Sequence, residues 1–160
     1  MFLNKVDKLA QYLSKLYKDK YHKEISEMQL HKLLYFIQRE SYVQRNEPMF
    51  NNQFHGWKYG PVLPEIRAGY KYRLYDIQCD DVLSEEDKNI VNQVFCEFAP
   101  KDPWTLSRLT HGESSWINSR RGVPVGANGD NLMKNEDIQK DAERIKERRQ
   151  QLSLFIKGLV

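Results

Sequence analysis

Leu30-His31-Lys32-Leu33-Leu34-Tyr35-Phe36-Ile37 is apolar around most of a helical circumference, and its reading decides the fold. A helix facing water on one side confines its apolar side chains to a stripe; one that is apolar nearly all round is covered on several sides. The run therefore predicts a central helix, starting after Ser26 as N-cap, reaching about Arg45 and ended by Pro48. The remaining elements are expected to pack around it.

Working outward, Val6, Leu9, Ala10, Leu13, Leu16 and Tyr17 repeat at three and four residues, as one face of a preceding helix does. Beyond the central run the pattern changes. Asn51-Asn52 is turn chemistry, residues 54–59 alternate as in a short strand or extended stretch, and Gly60-Pro61 predicts a sharp turn. Pro64-Glu65 opens a helix to about Tyr72, with the proline where a missing N–H is harmless and the acid at the positive helix end. Ser84-Glu85-Glu86-Asp87 opens another, with Ile90, Val91, Val94, Phe95 and Phe98 as its apolar stripe. Asp102-Pro103 begins a short helix containing Trp104, Leu106 and Leu109, and Ser114 or Ser115 should cap one beginning near Trp116. After a Gly/Pro/Asn loop over 122–131, Asn135 is the expected cap of a last helix at 136–157. Its stretch Lys146 to Gln151 is polar all round, so that helix is expected to project or to pair with something outside. No internal repeat or linker divides the chain. The expectation is one mainly α, compact helical domain over 1–160, with a short extended or β segment near 50–59 and a motif-bearing core at about 26–145.

The composition is that of an ordinary globular chain: 40% hydrophobic, 29% charged, 12% aromatic, net charge +3. That charge is too small to argue for nucleic acid, and basic residues are not concentrated on one recognition element. Its distribution is uneven. Residues 1–46 carry nine Lys/Arg against five acids, and residues 76–102 eight acids against two lysines. The two could dock on each other, form a polar partner surface, or be two solvated faces. No apolar run approaches the roughly 18–20 residues a bilayer demands, and the first residues lack a signal-peptide core, which predicts a cytoplasmic protein. Cys79 and Cys96 form no CxxC pair; Cys96, beside Phe95 and Phe98, is expected to be a small buried hydrophobe.

No catalytic or cofactor motif stands out. The four histidines lack helical zinc spacing, there is no GxSxG elbow, and the loop at 122–130 lacks the GK[ST] ending of a phosphate loop. The expectation is a non-enzyme without metal or cofactor. A hydrolase would need His111 to converge with Glu65 or Glu113. Two segments mix aromatic and polar residues too densely for plain core: 55–65, with Trp57-Lys58-Tyr59-Gly60-Pro61 and Glu65, and 106–116, with Thr110-His111 and Trp116. Trp57 and Tyr59 can pack their rings while Lys58 places its ammonium near a carboxylate or carbonyl. Thr110 and His111 can hydrogen-bond that neighbourhood and lock the segments together. Lys58, Glu65, His111 and Arg120, polar groups on irregular segments, are candidates for recognition.

With Leu30-His31-Lys32-Leu33-Leu34-Tyr35-Phe36, these two segments resemble, in order and spacing, the defining segments of the Panacea domain of SocA-like antitoxins and phage-associated proteins. His31 stands where the family usually has Gln, and Ser114-Ser115 where a Pro often precedes the Trp. The resemblance implies a helical, bacterial or phage-encoded antitoxin that neutralises a toxin protein encoded nearby by direct binding. The alternative it implies is an adaptor delivering the toxin to an AAA+ protease. A homodimer is a further partner to test, and a nucleic-acid-binding regulator or a hydrolase the reading of another class. The implied toxin-binding or motif residues are Trp57, Lys58, Tyr59, Gly60, Pro61, Glu65, Thr110, His111, Trp116 and Arg120.

Overall fold

The structure, a computed structural model, describes residues 3–77 and 83–158. Cys79 and the acids Asp80 and Asp81 lie outside the described residues. The order is α1 (Lys5–Tyr21), α2 (Glu27–Arg45), β1 (His55–Trp57), β2 (Gly60–Val62), α3 (Pro64–Lys71), a 3-10 turn (Leu74–Asp76), α4 (Glu85–Phe98), α5 (Pro103–His111), α6 (Ser114–Ser119) and α7 (Asn135–Ile156). The protein is mainly α, as the sequence predicts.

Helix α2 is the central element: every residue from Gln29 to Tyr42 is buried. Ser26 accepts the Gln29 amide and Gln29 returns a bond to the Ser26 amide, so the N-terminus is closed by a reciprocal capping box. Its other end falls at Arg45, as the sequence predicts, but Pro48 is not what stops it. Asn46, in the left-handed conformation, caps the helix two residues before Pro48. The apolar faces of α1, α3, α4 and α5 and the first turns of α7 join α2 in one contiguous cluster, with Phe36 stacked on Phe98 at 4.0 Å. Polar residues on α2 also organise the chain: the Gln38 side chain accepts the Met49 amide at 2.8 Å and donates to the Phe50 carbonyl at 2.8 Å, pinning the extended segment that leads to β1.

β1 and β2 form an antiparallel hairpin in the register His55–Val62, Gly56–Pro61, Trp57–Gly60. The turn is therefore Lys58-Tyr59, and Gly60-Pro61 belong to the returning strand, contrary to the sharp turn expected there. Residues 131–133 run along the other side of β1, where Gly56 N–H donates to the Asn131 carbonyl and Met133 N–H to the Phe54 carbonyl, both at 2.8 Å. Asn51-Asn52 make no turn.

Two expected caps are corrected. Neither Ser114 nor Ser115 caps α6; both lie in its first turn, and their amides are accepted by the carboxylate of Asp141, 2.8 and 2.9 Å away on α7. The first helical residue of α7 is Asn135 itself, preceded by Lys134, which makes no side-chain cap bond. Cys96 is exposed rather than buried, because the stripe of α4 runs through residues 90, 91, 94, 95 and 98 and position 96 falls off it. The uneven charge is partly spent inside the molecule. Asp87, opening α4, meets Lys5 at 3.0 Å and Arg45 at 2.8 Å. No helix among the described residues is long and apolar enough to cross a membrane.

Candidate functional site

The site is the face where the hairpin crosses α2, α5 and α6. Side chains reach from α5 and the α6 region to the hairpin backbone. Ser107 donates to the Tyr59 carbonyl at 2.6 Å, the Trp116 indole to the Trp57 carbonyl at 2.8 Å, and Arg120 Nη1 to the Gly56 carbonyl at 3.0 Å. Arg120 also donates to the carbonyls of Ala127 and Asn128 and lies over the Trp116 ring. It is a clamp that fixes strand and loop together, not a free recognition arginine.

His111 stacks on Trp116 with ring centres 4.0 Å apart. Burial and the nearby charge of Lys32 lower its pKa, against a hydrogen bond with the Lys58 backbone, so the ring is neutral near pH 7, and its buried Nε2 has no hydrogen-bond partner among the described residues. Thr110 does not lock the segments by hydrogen bonding as expected. Its hydroxyl donates to Ser107 in its own helix at 2.7 Å, and its contribution to the hairpin is close packing against Gly60. Gly60 has φ +117°, and a Cβ there would stand 2.6 Å from Thr110 Oγ1 and 2.8 Å from Lys32 Cε, so both backbone and space require glycine. Pro61 is buried. Its carbonyl accepts a hydrogen bond from Lys32 Nζ at 3.2 Å.

Lys32 is the side chain the sequence hid. It sits inside the apolar run of α2, only 2% exposed. Burial pulls its pKa down to about 7, partly opposed by the charge of Glu27. Glu27 itself is held low by His31, Arg67 assisting; it contacts His31 at 3.2 Å and Arg67 at 2.8 Å. His31 Nδ1 accepts the Leu63 amide at 3.3 Å, so its Nε2 carries the hydrogen that faces Glu27. Arg67 lies over the Trp57 ring at 5.5 Å. Trp57 Nε1 and His55 Nδ1 both meet Asp130 Oδ1, at 2.7 and 2.8 Å, and those bonds lower the Asp130 pKa. Lys32, Glu27, His31, Arg67, Trp57 and Asp130 line a cleft of about 400 Å³ between α2, the hairpin and the loop at 128–130. At its rim Lys58 lies over the Tyr59 ring at 5.2 Å instead of against the carboxylate or carbonyl expected, and Tyr59 meets Trp104 edge-on at 5.4 Å.

Of the ten residues singled out, nine therefore gather at this face. Glu65 does not: it is exposed on α3 and accepts from Asn52 at 2.9 Å. The groups a hydrolase would bring together have separate partners, since Glu113 is paired with Arg39 and Arg144. Beneath α2 a second polar cluster joins the elements: Tyr35 hydroxyl reaches Ser115 Oγ at 3.0 Å and Asp141 at 3.2 Å, and Arg144 bridges Asp141 and Glu113. A larger cleft, about 420 Å³, lies between α1 and the 3-10 turn, and no motif residue lines it.

A central buried helix, crossed by a hairpin that two short helices pin by its backbone, defines a mainly α-helical protein with one composite aromatic and basic face. The chain belongs to the family described as antitoxin SocA-like, Panacea domain, whose model matches residues 30–117, more than half of its length. No curated protein and no solved structure matches it. The matched span takes in α2, the hairpin, α5 and the start of α6.

Proposed function

We propose that this protein is an antitoxin that neutralises a cognate toxin protein by direct, non-catalytic binding. One observation carries this reading. The segments within the family match converge on one face, and leave Tyr59 and Trp104 there 46% and 58% exposed, beside Lys58. Rigidly held aromatic side chains next to basic ones are what protein interfaces use as anchors. The backbone-directed bonds from Ser107, Trp116 and Arg120 hold the turn that presents them, so binding needs little ordering. Trp57, Gly60, Pro61, Thr110, His111, Trp116 and Arg120 build the face; Lys58 and Tyr59 touch the partner. The test is co-expression with the product of the adjacent reading frame. Growth rescue and a co-purifying complex, both weakened by Tyr59→Ala, are expected. Rescue without any complex, or no rescue at all, sinks the proposal.

A further inference from the structure

The geometry points to the cleft beside Lys32 as a carboxylate-binding subsite, which receives an aspartate or glutamate side chain of the protein partner between Lys32 and Lys58. This rests on the toxin-binding reading above and names the chemistry the partner must present.

The charges lining the cleft can be followed one by one. Each of its acids is engaged through one oxygen, Glu27 Oε2 by His31 and Arg67, and Asp130 Oδ1 by Trp57 and His55. Arg67 pairs with Glu27 through Nη1, and both nitrogens of His31 are used. Two cations of the lining, Lys32 and Lys58, make no ion pair among the described residues. Lys58 rests over the Tyr59 ring, and Lys32 donates to the Pro61 carbonyl at 3.2 Å. An ammonium carries three N–H donors, and burying one against a single protein acceptor costs stability. Methionine would fill the same stem volume without that cost. A carboxylate entering the cleft brings two acceptor oxygens and the opposite charge, which fits this deficit.

Charge and shape select the source. Lys32, Lys58 and Arg67 against Glu27 and Asp130 leave one positive charge to be met, suited to a monoanion rather than to a phosphate dianion. The exposed Tyr59–Trp104 pair at the rim offers apolar area that a free ion does not use but a residue flanked by apolar side chains does.

Binding is linked to protons. Lys32 faces Glu27 and His31 from α2, Arg67 from α3, Lys58 from the turn, His111 from α5 and Asp130 from the loop. His31 and His111 are already neutral above pH 7, and the two acids remain ionised. Lys32 is the group that must take up a proton when a carboxylate arrives, so affinity falls as pH rises from 7 to 9.

The full chain, with its lysine side chains labelled, is titrated with N-acetyl-glutamate amide, N-acetyl-lysine amide and inorganic phosphate, reading the Lys32 Cε–H and Trp57 indole resonances. Saturable shifts with the glutamate derivative are expected at pH 6.5, at least about tenfold weaker at pH 9 and in Lys32→Met, and several-fold weaker in Lys58→Met. Lys32→Met should melt no lower than the wild type, which separates this role from a merely structural one; Lys58→Met, in the exposed turn, serves if it does. No saturable shift, an equal response in Lys32→Met, or tighter binding of phosphate overturns the site. The co-expression complex supplies the second arm. If it forms and survives both substitutions unchanged, the partner assignment fails while toxin binding stands. If no complex forms, the toxin-binding reading and the partner half fall together, and the titration still judges the carboxylate site.

Discussion

At the scale of single residues, Lys32 and Gly60 show how one position can serve fold and face at once. The pKa of Lys32 is lower folded than unfolded, so between pH 7 and about 10 the unfolded chain holds a proton that the folded chain does not. Stability contributed through this residue therefore rises with pH across that window, and its cost is full at pH 7 and below. Lys32→Met is expected to stabilise the protein by about 1–4 kcal/mol at pH 7, with the difference from wild type shrinking toward pH 10. Urea unfolding of both proteins at several pH values measures it, and a difference that stays constant would mean the lysine is not buried as described. Gly60→Ala should cost about 2 kcal/mol or more, from a left-handed φ and a Cβ driven into Thr110 and Lys32. Neither residue's role was legible. A lysine in an apolar run reads as a polar interruption of a stripe, and Gly-Pro reads as a turn. Only the register of the hairpin shows that the turn is Lys58-Tyr59 and that Pro61 offers its carbonyl to Lys32.

At the scale of elements, the helices were largely legible and their junctions were not. Ser26, Ser84 and Asp102 cap α2, α4 and α5 as their sequence signatures predict, since such caps are local. The start of α6 is closed instead by a residue from α7: Asp141, with no exposure, accepts the amides of Ser114 and Ser115, the Tyr35 hydroxyl and Arg144. Sequence reasoning has no signal for a cap supplied from some 26 residues away. Asp141→Ala should therefore leave several buried donors unpaired and cost about 3 kcal/mol or more, a loss shared by α2, α6 and α7 and seen as one cooperative transition. Further along α7, Arg149 holds Glu40 with two hydrogen bonds at 2.7 and 2.8 Å. The polar stretch at 146–151 is thus tied to α2 through this residue, and Leu152, Phe155 and Ile156 beyond it are exposed. Arg149 is half exposed but Glu40 is only 6% so, and Arg149→Ala should cost about 1–3 kcal/mol, because it leaves a buried carboxylate without its cation. Its effect should be local, as faster amide exchange over residues 150–156 with the exchange of α2 unchanged.

At the scale of the whole molecule, the charge asymmetry and the aromatic excess have different fates. Part of the acidic segment meets the basic one inside the structure, where Asp87 joins α4 to Lys5 and Arg45, so an intramolecular use was among the readings the sequence left open. The aromatic residues divide: Tyr35, Phe36, Phe54 and Phe98 fill the core, whereas Tyr59 and Trp104 meet each other across the hairpin turn and α5, largely outside it. In sequence Trp104 follows the Asp102-Pro103 cap-and-proline signal and reads only as part of a short helix. That it stands beside Tyr59 follows from Ser107 gripping the Tyr59 carbonyl one helical turn away on α5. A large side chain more than half exposed contributes little to folding, since the area it would expose on unfolding is already wet. Trp104→Ala should accordingly change stability by no more than about 0.5 kcal/mol. If the face binds a protein, the same substitution removes an aromatic anchor at the rim of the Lys32 cleft and weakens the complex by about 2 kcal/mol, roughly thirtyfold. Paired unfolding and binding titrations with the toxin partner separate the two quantities. Loss of stability without loss of affinity would put the contact surface elsewhere, with the exposed end of α7 the next face to truncate.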